Sequence, residues 1–415
     1  MEPNPGFRPV QAGERIVTLD VLRGFALAGI LLMNIECYVG PLNAGLSGVD
    51  PGLRGIDRLA DALVYFFVQG KFYPLFALLF GMGFAVMAQR AEKAGRGFVG
   101  LYFRRSMILL GIGLAHALLI WSGDILVSYA LLSLPLLLFV PMRAWVLTVL
   151  GIGCFLVAPA LLLLTGMIDW LTQLDPAGNT EWAAEMAAVR RSAEAVLASQ
   201  QRAFGSGVYL QATAQRLRDL GRSLQALFII APQIFGVFLI GAAFVRSGAI
   251  AQPRAFPRLF ASLRWGALPA GFLVMLASFL LTPYLAVGEV SLRICTAFAL
   301  SMIAGLLMCL GYVAWIVRML EARHWRGVLT WLAPAGRMTL THYLAQSLIC
   351  TWIFYGYGLG YFERLPRAWQ IPFALALFGA QALFSRFWLR RFRFGPMEWL
   401  WRSLTYLRWQ PMRIN

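Results

Sequence analysis

The chain carries little charge for its length. Only 13% of its 415 residues are Asp, Glu, Lys or Arg, against about a quarter in an ordinary soluble domain, so a water-solvated globule of this size is excluded. Acids are scarcest, with 19 Asp and Glu against 36 Lys and Arg and a formal net charge of +17. The five cysteines (Cys37, Cys154, Cys295, Cys309, Cys350) stand singly without a CxxC. That excludes a disulfide framework or a cysteine metal site and leaves them as small apolar core residues. There is no GxSxG elbow, Walker loop, HExxH or pair of metal ligands, so soluble-type hydrolase, ATPase and metalloprotease readings lose their support and no metal is expected. No internal repeat is visible, which weighs against an inverted-repeat transporter. The first apolar run, Val21 to Val39, is too long for a signal-peptide core and ends without a small-residue cleavage site, so it is expected to stay as a span.

What the chain has is apolar residues, 60% of the total, in runs of about 20, the length of helix that crosses some 30 Å of hydrocarbon. Alternating ten-residue segments of a membrane barrel are not seen. The expected fold is therefore all-α, a polytopic transmembrane helical bundle of about ten spans. These lie near 19–39, 72–88, 106–121, 124–140, 145–165, 223–245, 266–286, 292–316, 338–357 and 369–388. Ten spans return the chain to its starting side. The side of the N-terminus, the even-numbered connections and the tail collects 24 of the 36 basic residues and 6 of the 19 acids. This asymmetry places both termini in the cytoplasm and turns the basic excess toward anionic lipid, so nucleic acid is not needed as a partner.

Four parts follow: an N-terminal five-helix half (1–165), an external helical loop (166–222), a C-terminal five-helix half (223–390) and a cytoplasmic amphipathic tail (391–415). The loop reads as two polar helices, the first capped at Thr180 and broken at Gly205–Gly207. Within residues 40–71, Asp57–Gln69 has an amphipathic pattern suited to the outer interface.

Ionisable groups inside spans are costly and therefore candidates for function. Asp20 and Arg23, three apart, share a helical face at the cytoplasmic end of the first span. They read as an anchoring ion pair or as a seat for a phosphate-bearing ligand. Asn34 and Glu36 come near its outer end. Lys71 is expected to snorkel to water, with anion binding as the alternative. His116 falls roughly 16 Å beyond Arg105 into the membrane, at 1.5 Å per residue. Asp124 follows a tight Trp121-Ser122-Gly123 turn and reaches His116 only if that turn leans inward. A neutral histidine beside a carboxylate is equipment for general-base work on a hydroxyl. Arg337 with Thr341, and His342 with Gln346, form two polar faces four residues apart on the ninth span.

These residues carry a resemblance. The chain resembles, almost end to end, the YeiB-like bacterial inner-membrane proteins (domain of unknown function 418), a family grouped with the transmembrane acyltransferases. The residues that carry it are Arg15, Leu19, Asp20, Leu22, Arg23 and Gly24, then Gly70-Lys71-Phe72 with Leu79-Phe80-Gly81 and Gly83, then His116-Ala117 with Trp121 and Gly123-Asp124-Ile125-Leu126. A second signature lies near 336–347 in Gly336-Arg337, Leu340-Thr341, Tyr343-Leu344 and Gln346-Ser347, and a closing one in Gly395-Pro396, Glu398-Trp399 and Trp401-Arg402. Where this chain has His342 the family usually has Asn. The resemblance implies transfer of an acetyl or short acyl group from cytoplasmic acyl-CoA to a small-molecule or envelope-glycan acceptor at the outer face. Asp20, Arg23 and Arg337 would then hold acyl-CoA or acetyl-CoA. His116, oriented by Asp124, would activate the acceptor or carry the acyl group, and Asn34, Lys71 and Gln346 would lie on the acceptor side. The competing expectation is a transporter with His116 and Asp124 as its proton or solute site, and a noncatalytic scaffold is a third. The lipid bilayer is the one certain partner in each reading, and a homodimer is left open.

Overall fold

The computed structural model describes residues 16–95, 97–286 and 288–414; Arg15 lies outside them. The chain runs through α1 (Val17–Val39), α2 (Gly55–Phe67), α3 (Phe72–Lys93), α4 (Val99–Leu119), α5 (Leu126–Ser133, continued by a 3-10 turn to Phe139), α6 (Ala144–Thr172) and α7 (Pro176–Gln200). A π-helical turn (Gln201–Ser206) leads to α8 (Tyr209–Arg246), α9 (Pro257–Ser262), α10 (Leu268–Leu281) and α11 (Leu292–Glu321). The chain ends in α12 (Arg323–Thr330), α13 (Ala333–Arg337), α14 (Thr339–Phe354), α15 (Arg367–Arg391) and α16 (Pro396–Tyr406). Among the described residues there is no strand, only two isolated bridges. The fold is an all-α bundle.

Among the described residues seven helical stretches are long and apolar enough to cross a membrane: α1, the α2–α3 stretch, α6, α8, the α9–α10 stretch, α11 and α15. Each of the other expected segments also coincides with helix. One is α4, which carries the Arg104-Arg105 pair in its second turn; another is the short apolar Leu126–Phe139; the third is α14, with 16 residues. This is the architecture of a multi-pass membrane protein. Helix α8 is continuous over 38 residues, joining the second polar helix of the loop to the span that follows. Thr180 lies within α7, which begins four residues earlier at Pro176.

Helix α1 is the axis of the bundle, packed against α3, α13, α14 and α15, while α8 packs between α3 and α6. Apolar helices gain little from mutual burial when the surroundings are equally apolar, so close backbone approach through small residues has to hold them. Gly81 lies on the Phe238 carbonyl and Gly241 on the Leu78 carbonyl, a reciprocal seam between α3 and α8 that a Cβ on either glycine would push apart. The outward faces of α6 and α10 present Val149, Leu156, Leu164, Leu273 and Leu280, exposed as lipid-facing residues would be. Helix α2 has the expected amphipathic form, with Ile56, Leu59, Leu63 and Phe67 exposed and Ala60, Asp61, Val64 and Tyr65 buried.

Candidate active site

His116 closes the last turn of α4, and Asp124 stands just before α5 in the turn that reverses the chain. Gly113 lets the start of α5 lie against α4, since a Cβ there would strike the Val127 amide nitrogen. The turn therefore leans inward, and His116 Nδ1 meets Asp124 Oδ2 at 2.6 Å. The second carboxylate oxygen accepts the Val127 amide at 2.7 Å, which fixes the rotamer of Asp124. The two side chains are 1% and 2% exposed. With a carboxylate on Nδ1, the neutral ring carries its proton there and leaves Nε2 as the basic nitrogen. Nε2 is buried and has no hydrogen-bond partner. The ring lies 5.1 Å, centroid to centroid, from that of Tyr343 on α14.

Tyr343, Ile125 and Leu126 are also part of the wall of the main cavity, about 330 Å³, which opens between α1, α3, α4, α14 and α16. Its far end is lined by six arginines (Arg23, Arg90, Arg105, Arg337, Arg393, Arg402) and two carboxylates (Asp20, Glu398), and its depth by Leu79, Phe80, Leu109 and Tyr129. Such a cavity suits an anionic head on a less polar body. Arg23 is held by Asp20 at 3.0 Å, the ion pair that their spacing implies. Gly336 of α13 lies on the Asp20 carbonyl, where a Cβ has no room, and this contact brings Arg337 to the same cavity as Arg23.

The tail completes the site. Glu398 of α16 accepts the Leu340 and Thr341 amides at 2.6 and 3.1 Å and the Thr341 hydroxyl at 2.6 Å. It thus caps the first turn of α14, where unpaired amides and the helix dipole favour a carboxylate. Burial nevertheless pushes the Glu398 carboxyl above its ordinary range, against the lowering effect of these bonds. Trp401 lies under Arg105, whose guanidinium is 3.6 Å from a ring centroid, and donates its indole N–H to the Arg105 carbonyl at 3.0 Å. Three of the six arginines (Arg90, Arg105, Arg393) belong to none of the motifs read in the sequence, and the capping role of Glu398 has no periodic signal. Tyr343 is marked by the second signature, and Glu398 and Arg402 by the Glu398-Trp399 and Trp401-Arg402 pairs of the closing one.

The remaining candidates are placed elsewhere. Lys71 does not snorkel: it is 1% exposed, and its ammonium donates to the Tyr65 carbonyl at 2.9 Å and lies 3.4 Å from Met275 Sδ. The cause is the enclosure of the start of α3 by Tyr65 of α2 and Met275 of α10. Asn34 is buried on α1. Gln346 donates to Gln381 at 2.9 Å, and His342 pairs with Ser385 at 2.5 Å, ties between α14 and α15 that leave neither bonded to the His116 pair. Glu36 is 2.9 Å from Arg367, which also holds Asp61 at 2.8 Å. Among the described residues no group of three or more His, Cys, Asp or Glu is arranged to hold a metal.

A family model described as "Protein of unknown function (DUF418)" matches residues 244–408, from the end of α8 through α16. Similarity to individual proteins runs over nearly the whole chain. The uncharacterized protein YxaH of Bacillus subtilis (strain 168) is 35% identical over 98% of both chains. The uncharacterized protein YeiB of Escherichia coli (strain K12) is 34% identical over 94% of this chain and 96% of its own. An uncharacterized 39.9 kDa protein of Bacillus acidopullulyticus is 27% identical over 98% of both.

Proposed function

The chain belongs to the YeiB-like DUF418 family, and from that premise we propose that it is an acyltransferase of the bacterial inner membrane with both termini cytoplasmic. It takes an acetyl or short acyl group from cytoplasmic acyl-CoA and delivers it to an acceptor at the outer face. One observation carries this reading: the arginine-lined cavity and the buried His116–Asp124 pair share a wall at Tyr343, Ile125 and Leu126.

In this reading Arg23 and Arg337 hold the phosphates of CoA at the cytoplasmic end, in bidentate fashion where geometry allows. The thioester lies deeper, among the apolar residues. His116 Nε2 takes the proton of an acceptor hydroxyl while the oxygen attacks the thioester carbonyl. The new C–O bond forms, the C–S bond breaks, and the departing thiolate takes the proton back from Nε2, so that the products are an ester and free CoA. Asp124 holds the tautomer and stabilises the transient imidazolium. An arrangement of this kind contributes on the order of 10²- to 10⁴-fold.

The test is calorimetry of acetyl-CoA, with dephospho-CoA and free acetate as controls, on purified wild type and on Arg23→Ala and Arg337→Ala. Saturable binding of acetyl-CoA that is weakened in both variants is expected. Absence of binding across acyl-CoA lengths would sink the proposal. The transporter reading rests on the same buried pair and predicts proton-coupled solute movement in vesicles without CoA.

A further inference from the structure

The basic nitrogen of His116 stands next to the arginine cavity without reaching it. Among the described residues the cavity wall includes Tyr343, Ile125 and Leu126 but neither His116 nor Asp124. His116 Nε2 is buried without a hydrogen-bond partner. Tyr343 belongs to both surroundings. Its ring is 5.1 Å, centroid to centroid, from the imidazole and inclined to it at 49°, and the same side chain is part of the cavity wall. A substrate in the cavity therefore meets Tyr343 before it meets His116.

The helix that carries Tyr343 is fixed on both sides of it. Glu398 holds the amides of Leu340 and Thr341, His342 pairs with Ser385, and Gln346 donates to Gln381. The Tyr343 side chain is held far less firmly. Its hydroxyl accepts the Ile125 amide at 3.4 Å and donates to the Gly123 carbonyl at 3.5 Å, both beyond the usual range for such bonds. By contrast, the hydroxyls of Tyr38 and Tyr129 meet Ser347 and the Tyr73 carbonyl at 2.8 and 2.9 Å. A helical tyrosine can occupy more than one staggered χ1 well, and the void beside this one is the cavity itself. The motion open to it is rotation of a single ring over a backbone that stays in place.

We infer that the ring of Tyr343 is a gate between the arginine cavity and His116, closed in this structure, and that it decides between acyl transfer and hydrolysis. Rotation of the ring admits the thioester to His116 Nε2. Closure keeps water in the cavity away from that nitrogen. With the gate removed, the base that serves an acceptor hydroxyl would serve water equally well. The water oxygen attacks the thioester carbonyl, a C–O bond forms and the C–S bond breaks. The proton passes through Nε2 to the departing thiolate, and the products are a carboxylic acid and free CoA. The barrier is the ring and not its hydroxyl, whose two bonds are long. The inference rests on the acyl-transfer reading for the reaction, though not for access to His116.

Modification of the full-length protein by diethyl pyrocarbonate, followed by mass spectrometry of the histidine peptides, tests access directly. The chain has three histidines: exposed His324 calibrates the reagent, and His342, 2% exposed, reports whether a variant is folded. With His342 still slow, His116 is expected to react about tenfold faster in Tyr343→Ala than in wild type, and at the wild-type rate in Tyr343→Phe. Tyr343→Leu, which keeps apolar volume but not the reach of the ring, decides by the same criterion if the alanine variant unfolds. An unchanged His116 rate overturns the gate, and a Tyr343→Phe rate equal to that of Tyr343→Ala assigns closure to the hydroxyl and overturns the ring. The second measurement is thiol release from acetyl-CoA without an acceptor, expected to rise about tenfold in Tyr343→Ala. No rise in a variant that binds acetyl-CoA and exposes His116 overturns the role in excluding water. Faster His116 modification in protein that binds no acetyl-CoA keeps the gate over His116 and overturns acyl transfer.

Discussion

Asp124 binds two partners with one carboxylate, His116 Nδ1 at 2.6 Å through Oδ2 and the Val127 amide at 2.7 Å through Oδ1. The aspartate therefore shapes the turn and orients the imidazole at once, and the two duties are separable by substitution. Asp124→Asn keeps an oxygen for the Val127 amide but offers Nδ1 no anion. Acetyl transfer is expected to fall on the order of 100-fold with thermal unfolding little changed, as single-turnover rates and a melting curve would show. Equal loss of stability and activity would make the pair merely structural.

Removing Arg23 or Arg337 takes one cation from a cavity that has six. Each alanine variant is expected to weaken acetyl-CoA about tenfold, or roughly 1.4 kcal/mol. Since charge–charge attraction is screened by salt, the wild-type affinity should also decline from low to high ionic strength, and the variants should show a shallower slope. A dissociation constant indifferent to salt would mean that the arginines serve packing.

Much of this was legible in the sequence. Each expected segment is helical because apolar run length is a local property, and Asp20 with Arg23 sits as a spacing of three requires. The His116–Asp124 contact was readable only as far as the turn between them. It needed Gly113 to let α5 close on α4, and neighbouring helices cannot be ranked by spacing alone. Glu398 on the start of α14, 57 to 58 residues away, and Trp401 under Arg105, 296 residues from its carbonyl partner, are tertiary contacts with no periodic signature. Lys71 departs from snorkelling for a related reason: snorkelling assumes lipid around the stem, and here Tyr65 and Met275, distant from each other in sequence, enclose it.

Glu398 makes stability depend on pH in a stated direction. Burial raises its carboxyl above the ordinary range, so the folded state holds that proton more tightly than the unfolded chain. The contribution is complete below the unfolded value of about 4.3 and is lost as pH rises through the folded value. The melting temperature should therefore decline over that window, and Glu398→Gln, which keeps an acceptor for the α14 amides, should flatten the decline. Glu398→Ala, which removes all three bonds, is expected to cost about 1–3 kcal/mol at any pH. An unchanged pH profile in the glutamine variant would refute this assignment.

Arg367 at the opposite end decides whether Glu36 belongs to a proton path. The guanidinium is 4% exposed and lies 2.8 Å from Asp61, 2.9 Å from Glu36 and 2.8 Å from Gln370. Deleting one member of such a group strands the others in a low-dielectric surrounding, at about 3–5 kcal/mol. Arg367→Ala is thus expected to fold poorly or melt well below wild type. Asp61, 1% exposed, depends on the arginine more than Glu36 does, whose side chain is 20% exposed and can reach water. Glu36→Gln should therefore cost little stability and, in an acyltransferase, leave transfer within about twofold of wild type. In a proton-coupled transporter the same change abolishes coupling, so parallel measurement of acetyl transfer and of proton flux in vesicles for this single variant separates the two classes.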